Sequence, residues 1–195
     1  MQPLFLGSHP AIDFLNTAFA PDGEPIETIG DGRAYLEWLV AAGLLKQAEA
    51  AKLSRRFGAR ALDAAATEAR KTREWAREWL TAWRAAPRAD YANRVEMLNR
   101  LLAREIGNRR LVANNGGFEI RDLPSFESAQ ALLALPAAEL ARLLAQEDPA
   151  LVRECAGDAC TLWFLDRTKS HRRLFCSAAA CGNRAKVAAF RERQK

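Results

Sequence analysis

The chain has four cysteines, and all of them fall in its last 45 residues as Cys155-x4-Cys160-x15-Cys176-x4-Cys181. A four-residue loop lets two thiolates converge. The fifteen-residue interval is long enough for one hairpin, which returns the second pair to the remaining corners of a tetrahedron. That is the geometry of four-coordinate zinc, at about 2.3 Å per sulfur. Disulfides, an iron–sulfur cluster and unlinked thiols are the competing uses of these residues. Disulfides require an oxidising compartment, of which the sequence carries no sign. A cluster also takes four cysteines, but paired gaps around a hairpin favour a zinc fold. Four protein ligands close the coordination sphere, so the ion would be structural and not catalytic. A module of this size has little core of its own, and its folding should depend on the metal.

Charge divides the chain at the same place. Residues 151–195 hold 10 Lys and Arg against 4 Asp and Glu, a formal +6, while the other residues carry −1. Four thiolates with Zn²⁺ lower the tail to +4, still a basic excess. The boundary is set near Asp148-Pro149, dividing residues 1–148 from 149–195.

The N-terminal part is patterned mainly as helix. Leu4-Phe5-Leu6 reads as a strand, Ala11–Phe19 as helix or strand, and Pro21-Asp22-Gly23-Glu24-Pro25 as a loop. Asp31 is a helix N-cap ahead of Leu36, Leu39, Val40 and Leu44, spaced as one buried face. Residues 47–86 are rich in Ala, Arg and Glu, with Gly58 as the break and Trp75, Trp79 and Trp83 as a packing stripe. Asp90 caps a further helix carrying Val95, Leu98, Leu102 and Ile106. Arg110–Leu123 reads as a β-hairpin turning at Asn114-Asn115-Gly116-Gly117, whose residues tolerate positive φ. Ser125–Leu135 and Pro136–Gln146 read as two short helices.

In the tail, Leu162-Trp163-Phe164-Leu165 and Arg172-Arg173-Leu174-Phe175 read as strand arms around Arg167-Thr168-Lys169-Ser170, followed by a helix that Ser177 could cap. The fold expected is α+β: a helix-rich N-terminal domain with a small β-sheet or hairpin, and a C-terminal treble-clef zinc-ribbon module.

The run Cys181-Gly182-Asn183-Arg184, with Arg153-Glu154-Cys155 upstream and Cys176 through Lys186 around it, resembles the CGNR zinc-finger family. Asp13-Phe14-Leu15-Asn16-Thr17, Tyr35-Leu36-Glu37-Trp38-Leu39 and Ala42-Gly43-Leu44-Leu45 are similar to the opening of the ABATE domain, that family's usual N-terminal partner. The resemblance implies a bacterial, stress-related transcription regulator with an α/β N-terminal domain and a treble-clef DNA-binding end. It also implies Cys155, Cys160, Cys176 and Cys181 as zinc ligands; Asn183 and Arg184 carry over only as signature residues.

Nucleic-acid contact has candidate residues. At about 100° per residue, Arg184, Arg191 and Lys195 share one stripe of the last helix, with Val187 and Phe190 on a separate arc. Lys186 adds to that helix, and Arg167, Lys169, Arg172 and Arg173 add positive charge from the hairpin. Double-stranded DNA is favoured by the resemblance. Alternatively, late-helix Lys and Arg complement the helix dipole, and the zinc module is a structural or protein-interaction unit docking through Trp163, Phe164 and Phe175.

In the N-terminal part Asp13, Asn16, Thr17 and Arg33 are candidates for a small-molecule pocket, against the plainer reading of caps and turns. An enzyme is not expected. No nucleotide-binding glycine loop, Gly-x-Ser-x-Gly or His-Glu-x-x-His occurs, and His9 and His171 are the two histidines. No run of about 18 apolar residues and no signal-peptide pattern occurs, which predicts a cytoplasmic protein without a membrane partner. No heptad supports a dimer.

Overall fold

The computed structural model describes residues 4–21, 23–114 and 117–194. Asp22, Asn115, Gly116 and Lys195, each part of an expectation above, lie outside these residues.

The short helix α1, Pro10–Leu15, is followed by β1, Ala18–Phe19, which pairs antiparallel with β2, Ile26–Glu27. Asp31 caps α2, Gly32–Ala41, by accepting the N–H of Ala34 at 2.8 Å. The long α3, Gln47–Ala85, breaks where expected: Gly58 has φ 73° and ψ 167°, a conformation that a β-carbon disfavours. Helix α2 begins directly against α3. A β-carbon on Gly32 would lie 2.3 Å from Leu62 Cβ, and the Gly32 N–H donates to Asp63 at 2.9 Å.

Helix α4 spans Ala92–Leu102, and the chain then leaves helix earlier than its periodicity suggests. Ile106 lies in β3, Glu105–Asn114, not in α4. Strand β4, Gly117–Phe126, pairs with β3 from Asn114↔Gly117 out to Glu105↔Phe126, so the expected hairpin exists but is longer than Arg110–Leu123. Ladder pairing out to Phe126 also takes Ser125 and Phe126 out of the expected helix. What remains there is a 3₁₀ segment, Ala129–Leu133, running into α5, Ala134–Gln146. Leu4-Phe5-Leu6 forms no strand.

The main core lies between α1, α2, α3, α5 and the 3₁₀ segment. Tyr35, Trp38, Leu39, Leu80, Leu132 and Leu143 are fully buried in it. Trp79 and Trp83 are buried and Trp75 is partly buried, so the tryptophan stripe is packing surface. This core does not stop at Asp148. Beyond it come β5, Val152–Glu154, and β6, Trp163–Leu165, and Val152, Trp163 and Leu165 are buried with the helices. Burying side chains of this size stabilises by about 1.5–3 kcal/mol each. The last element is α6, Asn183–Glu192. Among the described residues no helix is long and apolar enough to cross a membrane.

Candidate metal centre and basic face

Strand β6 pairs antiparallel with β5, from Val152↔Leu165 to Glu154↔Trp163. This corrects the expected hairpin, which joined Leu162–Leu165 to Arg172–Phe175. The segment 172–175 is irregular, tied to the hairpin by the Ala156 N–H donating to the Leu174 carbonyl at 2.9 Å. Pairing β6 with β5 makes the first cysteine loop the tip of the hairpin. Cys155 N–H donates to Leu162 at 2.8 Å, and Cys160 N–H closes the turn on Gly157 at 2.9 Å. Gly157 is packed tightly here: a β-carbon would lie 3.3 Å from Cys160 Cβ and 3.4 Å from Cys181 Sγ.

The second pair is placed by a wide π turn, Ala178–Gly182, capped by Ser177, whose hydroxyl accepts from Ala180 N at 3.3 Å. Cys176 precedes this turn and Cys181 lies within it, at the entry to α6. All four sulfurs lie within 4.8 Å of one another. Cys176 Sγ is 3.8 Å from Cys160 Sγ and 3.6 Å from Cys181 Sγ. A tetrahedral tetrathiolate site with 2.3 Å bonds has sulfurs about 3.8 Å apart, so the donor set fits Zn²⁺.

Without a metal, two of the buried sulfurs resist ionisation. Burial and the adjoining sulfurs push the Cys176 thiol up, and burial is the main cause lifting Cys181 to about 12. At Cys155 burial is outweighed by backbone N–H groups of Cys176 and Gly157, and its thiol is lowered. A divalent cation supplies the positive charge that such a cluster lacks, and the four ligands leave no open position for substrate.

The cluster is embedded in the rest of the chain. Cys155, Leu162, Phe164, Cys176 and Cys181 form a second core with Phe19, against which Leu4, Leu6 and Ile26 pack. Thus the N-terminal segment supplies part of the wall around the metal centre. Leu165 N–H donates to the Gly7 carbonyl at 2.8 Å, and Ala20 and Thr161 exchange two hydrogen bonds.

The residues expected to bind nucleic acid separate into two groups. Arg173 is an internal brace: it donates to the carbonyls of Leu6, Phe175 and Cys176 and to Ser8 Oγ, with its guanidinium 4.2 Å from the Phe164 ring centre. Arg167 pairs with Glu147 at 2.7 Å and donates to the Ser8 carbonyl. Arg184 donates to Cys181 Sγ at 3.1 Å. By contrast the side chains of Lys169, Arg172, Lys186 and Arg191 are exposed and make no hydrogen bond or ion pair with another described residue.

Asp166, which sequence reasoning passed over, and Arg153, quoted there only within the family run, shape the basic loop. Asp166 is fully buried and accepts from Thr168 N–H, Thr168 Oγ1 and Arg173 N–H. Burial raises its carboxyl, but those hydrogen bonds and the charge of Arg153 outweigh it and hold Asp166 below the usual range. Arg153 donates to the carbonyls of His171 and Arg173, and His171 takes φ 50° at the turn. An Asp two residues before a Thr is the sequence signal for such a turn.

The N-terminal polar residues turn inward. Asp13 accepts the Gly7 N–H at 2.8 Å, Asn16 pairs with the backbone of Trp163, and Thr17 Oγ1 donates to Phe14 and accepts from Arg73. Arg33 is exposed and paired with Glu37, apart from this group. Arg73, also missed, is buried and makes a forked pair with Glu27 at 2.9 and 2.8 Å.

A family model described as "Putative stress-induced transcription regulator", the ABATE model, matches residues 8–147. The chain belongs to the ABATE family. The CGNR zinc-finger model matches residues 152–194, which contain all four sulfur ligands. This ABATE protein therefore carries a C-terminal CGNR zinc finger whose cysteines form a Zn²⁺ site. No curated protein matches the chain.

Proposed function

We propose that this protein is a cytoplasmic transcription regulator that contacts double-stranded DNA through its zinc finger, with the N-terminal domain serving sensing or assembly. The observation that carries the reading is the state of α6. It is anchored at its start by Cys181, yet buries none of its own residues. Its outward arc presents Lys186, Phe190, Asn183, Val187 and Arg191, with Val187 50% and Phe190 56% exposed. The loop bearing Lys169 and Arg172 stands beside it, and a groove of about 590 Å³ runs between the two, lined by Thr168, Leu174 and Lys186. Cations neutralise phosphates, while apolar side chains on the same helix suit thymine methyl groups.

We take residues 1–148 and 149–195 as the two functional units and assign no reaction to either. Asp13, Asn16 and Thr17 we assign to holding the N-terminal segment, since their polar atoms are already engaged within the chain. The test is binding of intact, zinc-loaded protein to a random duplex DNA pool across a salt series, with metal-stripped protein alongside. Salt-sensitive, zinc-dependent binding supports the reading and enriches its site. No binding at low salt makes the finger a structural or protein-interaction unit, a reading favoured by the burial of Trp163 and Phe164 against the rest of the chain.

A further inference from the structure

We infer that Arg184 belongs to the metal centre as a positioning residue: its guanidinium, hydrogen-bonded to Cys181 Sγ, offsets the charge of a tetrathiolate zinc and slows loss of the ion. The Nη2 to Sγ distance is 3.1 Å, a charge-assisted contact. A zinc ion with four thiolates carries a formal −2, and that charge resides on the sulfurs. Cys155 Sγ receives the Cys176 N–H at 3.3 Å. Cys181 Sγ receives a full positive charge.

The spacing follows from the fold. Cys181 lies in the π turn and Arg184 in the first turn of α6, three residues on, where side chains share a helix face. The position matters because this is the open side of the centre. Cys160, the one ligand that is only partly buried, lines a cavity of about 220 Å³ together with Cys181, Arg184, Asp158 and Ala188. A chelator or an electrophile reaches the sulfurs from this cavity. Hydrogen bonds to a thiolate lower its electron density, and with it both its exchange and its nucleophilicity. Arg184 thus does for the zinc what Lys186 and Arg191, which touch no sulfur, do not. The inference does not depend on DNA binding, and its test contains no DNA.

The experiment uses the full chain as wild type, Arg184→Ala, Arg184→Lys and Lys186→Ala. Two quantities are read: the rate at which a chromogenic chelator withdraws zinc, and the energy of the thiolate-to-metal charge-transfer band of the Co²⁺-loaded protein. Arg184→Ala should release zinc about tenfold faster or more, as loss of an outer-shell partner does elsewhere. Its band should move to lower energy, because an unbonded sulfur is more easily oxidised. Arg184→Lys should restore part of both, and Lys186→Ala should change neither. An unmoved band in Arg184→Ala, whatever the release rate, overturns the inference and leaves Arg184 as helix surface. Should the alanine variant fail to load cobalt, the band of Arg184→Gln, which keeps the side-chain length without the charge, decides in the same way: displaced to lower energy supports, unmoved refutes.

Discussion

The side-chain amide of Asn16 pairs with both backbone groups of Trp163: Oδ1 accepts the Trp163 N–H at 2.8 Å and Nδ2 donates to the Trp163 carbonyl at 2.9 Å. An asparagine at the end of α1 thereby takes the place of a neighbouring strand alongside β6. All the groups are buried, and the two residues lie 147 positions apart.

Asn16→Ala should therefore destabilise the chain by about 2–4 kcal/mol, because a buried N–H and a buried carbonyl lose their partners together. Asn16→Asp should cost at least as much, since a carboxylate keeps the acceptor and faces the Trp163 carbonyl with a second one. Urea unfolding of zinc-saturated protein measures both. Wild-type midpoints would show that this pairing contributes nothing.

Metal removal should reach beyond the finger. From the sequence, chelation is expected to unfold the tail and leave the N-terminal part helical. The shared second core, in which Leu4, Leu6 and Phe19 pack with Cys155, Cys176 and Cys181, changes the expected boundary. Hydrogen exchange after zinc removal should accelerate at residues 4–20 as well as at 155–182, while the Gly58–Ala85 stretch of α3 stays protected. Unchanged protection at residues 4–20 would refute the coupling.

The DNA reading makes a prediction separable from zinc. Arg172→Ala, Lys186→Ala and Arg191→Ala combined should weaken binding and reduce the slope of log K against log salt by about 2–3, roughly 0.9 for each phosphate no longer neutralised. Zinc content should stay at wild type, since none of the three residues touches a sulfur. An unaltered slope removes them from the interface.

Asp13 should make stability depend on pH. Burial, opposed by the Gly7 N–H, raises its carboxyl to about 6, above the unfolded value near 4. The folded chain holds a proton there that the unfolded chain has lost. This contribution is complete below pH 4 and disappears as pH rises through 6. Asp13→Asn keeps an acceptor for Gly7 and cannot ionise. The stability of wild type relative to this variant should fall by about 2 kcal/mol between pH 4.5 and 7.5. Taking the difference at saturating zinc cancels proton competition at the cysteines. A flat difference would count against an elevated Asp13.

Much of this protein is written locally. The cysteine spacing, the cap at Asp31, the break at Gly58, the tryptophan stripe and the pairing of the strands on either side of Asn114 and Gly117 are each set by a few neighbouring residues, and each is present in the fold. Ile106 misled because its apolar spacing continues that of α4, whereas ladder pairing with Ser125 places it in a strand. Partner choice in a sheet is a long-range matter. Helical periodicity says nothing of it.

The basic residues show the same division. Sequence determines that Arg167, Arg172, Arg173, Arg184 and Arg191 are cations in one short module, because charge is a property of composition. Only tertiary structure decides that Arg173 braces carbonyls from both ends of the chain, that Arg184 serves a sulfur, and that Arg172 and Arg191 face solvent. It likewise turns Asn16, a plausible pocket residue, into a strand partner for Trp163. A polar side chain's task is fixed by which acceptors and donors burial leaves in need of it, and those come from parts of the chain that meet only on folding.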